Sequence, residues 1–218
     1  MSGDRLFAEV ADRWVEIPAG LADSSTTPGG ETDRTAWLRA ASEQVRALGA
    51  AWPDDTTELV PTLLEHALAE RGDEHLVLTY WPEAVPMPAT VRVAVLASPG
   101  RSAVAAELRA NPSAHIEHVD GARLGPGVEW VHGGALPEQP GEQLIGTQTC
   151  FTDDDTMVLV TLEPTLPPLL PHVIDAVREL ARTLERVRDD RPWVALALPE
   201  DVATRADVEA WQAAEPEA

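Results

Sequence analysis

Lysine is absent from this sequence: all sixteen basic residues are arginine, set against 37 aspartates and glutamates. A formal net charge of −21 and an isoelectric point near 4.4 follow. Such an excess repels phosphate backbones, and no arginine-rich stripe relieves it, so nucleic acid is not the expected partner. Basic proteins and cations are the natural electrostatic partners of such a surface. Cysteine occurs once, at Cys150, which removes intrachain disulfides. Its neighbours Thr149, Phe151 and Thr152 are strand-type residues rather than an activating cationic pocket, so a buried, inert thiol is expected. No apolar run approaches the roughly 18 residues that a membrane span requires. The first ten residues hold Asp4, Arg5 and Glu9 where a signal peptide would need an apolar core, so the expected location is the cytoplasm.

Chemistry-bearing motifs are equally scarce. Neither G-x-S-x-G, nor G-x-G-x-x-G, nor a phosphate loop ending in G-K-[ST] is present, and none of the seven serines stands in a recognisable frame with a histidine. His115 and His118 form H-x-x-H, but on a strand residues three apart point to opposite faces, so a shared metal ion is not expected. Asp153, Asp154 and Asp155 form an acidic knot without the spaced ligands of a calcium loop, and read as a hairpin turn. No catalytic residue, metal or cofactor is therefore assigned.

What is present suffices for one core: 218 residues with 44% hydrophobic content. Residues 13–18 alternate as a short strand closed by Pro18. Trp37, Ala41, Val45 and Leu48 then recur at helical spacing. Val60, Leu63, Leu64, Ala67 and Leu68 mark a second helix after Pro53, with Pro61 tolerated in its first turn. The period changes to two over residues 75–80 and 90–96, an expected antiparallel pair. A short helix over 101–110 follows, then strands over 114–119 and 128–132. Residues 143–151 and 156–162 form the clearest hairpin, with 152–155 as its turn. Thr165, Pro167 and Pro168 open an amphipathic helix whose stripe (Leu170, Val173, Val177, Leu180, Leu184) is expected to continue to about Asp189. The fold class is thus α+β: an antiparallel sheet flanked by helices and closed by a long C-terminal helix. Residues 1–190 make one domain, and 191–218 a C-terminal apolar segment with an acidic tail.

Seven tryptophans stand against two phenylalanines and one tyrosine. Trp14, Trp37, Trp81 and Trp130 fall in regular elements and read as core, whereas Trp52, Trp193 and Trp211 lie in turns or the tail. Because tryptophan anchors interfaces, Trp193 and Trp211, with Leu196 and Leu198 of the apolar hexad 193–198, are the candidate partner-binding residues.

The order of elements resembles that of the Mog1/PsbP-like domains, above all the small versions from high-GC bacteria. It runs from a short W-V-E-I-P strand through two helices and hairpin-built antiparallel strands to a last strand, Met157 to Leu162, followed by a helix. The resemblance covers roughly Arg13 to Asp189 and carries no site residue. It implies an antiparallel sheet with helices, and a binding or assembly factor rather than an enzyme. Three function classes follow: a non-catalytic protein-binding module such as an adaptor, secretion-associated factor or immunity protein; a self-assembling component using 193–198; and an enzyme without a legible motif.

Overall fold

A computed structural model describes residues 4–21, 33–49, 52–110, 115–135 and 143–202. Its centre is a seven-stranded, wholly antiparallel sheet. The strands are β2 (Trp14–Glu16), β3 (Leu76–Tyr80), β4 (Ala89–Ala97), β5 (Ile116–Asp120), β6 (Pro126–Ala135), β7 (Gln143–Thr152) and β8 (Thr156–Thr165), and their spatial order is β2-β3-β4-β8-β7-β6-β5. Each expected hairpin forms: β3 with β4, β5 with β6, and β7 with β8. One long-range pairing, Val93 opposite Val160, joins the halves by inserting β8 beside β4.

Alternation decides what each face covers. Along β8, Val158, Val160 and Leu162 are buried while Met157, Leu159, Thr161 and Glu163 are half-buried. The buried set packs under helix α4 (Leu170–Thr183), whose Val173, Val177 and Leu180 meet Val91, Val93 and Phe151 from the sheet. On the opposite face, helices α1 (Asp33–Leu48) and α2 (Asp54–Ala69) cover the β2–β3 end through Val45, Leu64, Leu68, Val77 and Trp81. Helix α3 (Arg101–Ala110) covers the other end, placing Val104 and Leu108 on Ile116, Val128 and Cys150. No helix among the described residues is long and apolar enough to cross a membrane.

Two expectations need correction. The helix expected to reach Asp189 ends at Thr183, because Leu184 turns extended (φ −62°, ψ 131°) and the chain becomes strand β9 (Glu185–Arg188). Asp189 and Asp190, both at positive φ, make a two-residue hairpin into β10 (Arg191–Trp193), with Arg188 opposite Arg191. On its other side β9 pairs with β1 (Arg5–Phe7), so a three-stranded sheet replaces the last helical turns. Thr165, the expected cap, is the last residue of β8, and turns over residues 166–170 lead into the helix instead. Strand β10 follows β9 directly across residue 190.

Candidate functional site

Between the helices on its second face the sheet has a stripe that no described element covers. Register places Leu96 beside Met157, Ala94 beside Leu159 and Arg92 beside Thr161, all on one face. Toward α3 the stripe deepens into a cavity of about 430 Å³ over Trp130, Cys150, Met157 and Leu159, walled by Val104 and Leu108. Toward α2 a second cavity of about 370 Å³ lies over Thr79, Thr90 and Arg92, with Leu63 and Met87 on its side. With the half-buried Ala94 and Thr161 between them they form a trough along the middle strands, lined by Val104, Leu108, Met157 and Leu159 at the α3 end and by Leu63, Met87, Arg92 and Glu163 at the α2 end.

Exposed carboxylates stand on both walls of the trough, and His66 and Arg92 lie at its α2 end. Glu107 at the α3 wall and Glu70 at the α2 wall are exposed. Arg92 is neutralised by Glu163 through its Nε and by Glu74 at 2.9 Å. Elsewhere arginines are also tied to carboxylates: Arg13 to Glu83, Arg34 to Glu65, Arg101 to Asp154 and Arg109 to Asp201. Exposed pairs of this kind add little stability. Their effect is electrostatic, because they leave the surface to the unpaired carboxylates.

Burial pushes the Cys150 thiol up to about 12, so it is protonated and non-nucleophilic at neutral pH despite lying under the cavity. A thiol reagent is expected to leave native protein unmodified and to label Cys150 only as the fold is denatured; prompt labelling without denaturant would contradict this. His115 and His118 are engaged separately, with Glu117 at 2.7 Å and with the Glu200 carbonyl at 3.4 Å. Among the described residues no group of three or more His, Cys, Asp or Glu side chains forms a metal cluster.

On the α4 face, Glu129 is the most deeply buried ion-paired carboxylate among the described residues, its side chain 5% exposed. It accepts from Arg178 Nε at 2.9 Å and Nη2 at 2.5 Å, and from the Thr149 hydroxyl at 3.3 Å. The adjoining cavity of about 250 Å³ is shared with Glu117, Asp120 and Arg182. Nothing in this sequence singled Glu129 out among the acidic residues; only the position of Arg178 on α4 does so.

The four residues expected to meet a partner have different fates. Trp193 is buried in the main core; its indole Nε1 donates to Asp153 Oδ2 at 2.6 Å, and the Arg186 guanidinium stands 5.0 Å from its ring centroid. Leu198 is buried against α3. Leu196 is exposed, as is Val194, while Trp211 lies outside the described residues. The amides of Ala195 and Leu196 donate to Leu124 and Thr152 carbonyls, which occupies two donors a strand added to another sheet would need. Trp52, placed in a turn by the sequence, is buried with Nε1 on the Glu83 carbonyl at 2.8 Å.

Asp153 is the latch of this segment. Burial works to raise its carboxyl pKa, but hydrogen bonds from the Thr156 and Asp155 amides and the Trp193 indole, with the charge of Arg186, hold it below its ordinary 3.8. A depressed folded-state value means that the stabilisation is present above pH 3.8 and is lost as pH falls through the folded value. In an NMR titration the Trp193 indole proton is therefore expected to hold its shift down to about pH 4 and move only below it. Movement between pH 5 and 7 would place the latch elsewhere.

Comparison of the chain with protein-family models and with curated proteins gives no match.

Proposed function

We propose that this chain is a non-catalytic protein-binding module of Mog1/PsbP-like fold, working in the cytoplasm as an adaptor, secretion-associated factor or immunity protein. Its partner is a basic protein. The observation that carries this reading is the trough: a half-buried, partly apolar stripe over the central strands between α2 and α3, on a molecule of net charge −21. A sheet whose central strands are capped on one face only leaves apolar surface that a partner's side chains can bury. The acidic surroundings would steer a basic partner and fix its orientation.

The test is isolation of the complex from the native cell followed by a salt titration of the purified pair. A basic partner is expected, with affinity falling steeply as salt rises. A salt-insensitive complex with a neutral or acidic partner would overturn the reading.

A further inference from the structure

We infer that the trough is a helix-binding groove: it receives a basic amphipathic helix of the partner, whose apolar anchor enters the cavity over Trp130, Met157 and Leu159. This rests on the protein-binding reading and adds the surface and the shape of the occupant. Three observations converge on it.

The first is position. β4, β8 and β7 lie inside the sheet, whose edges are β2 and β5. Their backbone groups are already paired on both sides, so an occupant meets only side chains and cannot join as an added strand. The second is size. Three strands span about 10 Å, the diameter of one helix. From Met157 to Glu163 the floor runs about 20 Å, or about 13 helical residues. α4, which covers the same strands from behind, has 14 residues.

The third is charge, which chooses among occupants. A second copy would bring another −21 against the first. The chain's own residues 203–218 are another candidate occupant. They carry Arg205 against Asp207, Glu209, Glu215 and Glu217, and would set like charge beside Glu107 and Glu70. A basic helix has neither handicap. Its apolar side chains meet Leu96, Met157 and Leu159, and its cations face Glu107 on one wall and Glu70 on the other.

The experiment uses the full chain, isotope-labelled for NMR, and two peptides of about 14 residues. Both carry leucines at helical spacing, one on a lysine background and one on glutamate. The lysine peptide is expected to bind at least about tenfold more tightly, with the largest shifts at Ala94, Leu96, Glu107, Met157 and Leu159. Leu96→Lys is expected to weaken binding by about tenfold or more, and Leu196→Lys, at a similarly exposed leucine, to leave it unchanged. No binding by the lysine peptide, or shifts confined to the outer faces of α1 and α2, would overturn the groove. In the latter case a salt-sensitive complex with the native partner would still stand, so the two readings fail separately. Trough shifts on raising the protein concentration alone would give the groove to a second copy. Trough shifts caused by Trp211→Ala without peptide would give it to the chain's own tail. Either result would overturn the inference.

Discussion

Trp193→Ala is expected to cost about 3–5 kcal/mol of stability, the range for removing a large aromatic side chain from a packed core. The indole is 7% exposed and packs in the main core cluster with Leu184 and Ala195. Its loss removes the hydrogen bond to Asp153 and the ring beneath Arg186, whose own side chain is 3% exposed. Arg186 would keep its bidentate contact with Asp4, at 2.9 and 2.7 Å, so the damage is expected to centre on β10 and the turn at 153–155. Chemical denaturation checks this. A lowered midpoint with an unchanged slope is expected. A loss below about 1 kcal/mol would mean that residues 191–198 are only loosely attached to the domain.

Arg178→Met is the second large effect. Removing one partner of a fully buried pair costs about 3–5 kcal/mol, because the other charge stays in the interior. Here Glu129 is buried but Arg178 is 40% exposed, so water screens part of the interaction and about 2–3 kcal/mol is expected. The double variant Arg178→Met/Glu129→Gln should recover most of the loss, since a neutral amide can still accept from Thr149. Equal losses in the single and double variants would show that Arg178 acts through packing rather than charge.

Local chemistry made much of this architecture readable. The hairpin of β7 and β8 was plain because residues 156–162 form an unbroken apolar β-type run after the acidic turn at 152–155, in which Asp153 supplies an acceptor to the amides of Asp155 and Thr156. α2 was legible from Pro53 and the spacing of Val60, Leu64 and Leu68. The end of α4 was not, because residues 184–187 keep a helical pattern, and their extended form depends on pairing with β1 at the far end of the chain. The Asp189-Asp190 turn is a weaker signal than Asn-Gly, and it reads equally well as a helix stop.

The trough was hidden for a related reason. Met157 to Val160 of β8 are apolar on both faces, and whether a helix lies over Met157 and Leu159 depends on where α2 and α3 land. The insertion of β8 beside β4, over sixty residues away, has no local signature. The same limit applies to the tail. Tryptophan enrichment at interfaces favoured Trp193 as a partner contact, while the acceptor that holds it inside, Asp153, lies 40 residues earlier.

The trough and the C-terminal segment make opposite demands on two leucines. Leu96 and Leu196 are exposed to 45% and 46%, so Leu96→Lys and Leu196→Lys should both fold normally. Calorimetric titration of each variant with the native partner separates the surfaces. A loss of about tenfold or more in affinity is expected for Leu96→Lys, with Leu196→Lys binding like the unaltered protein. The reverse pattern, with Leu196→Lys impaired and Leu96→Lys unaffected, would contradict the assignment of function to the uncovered face of the sheet.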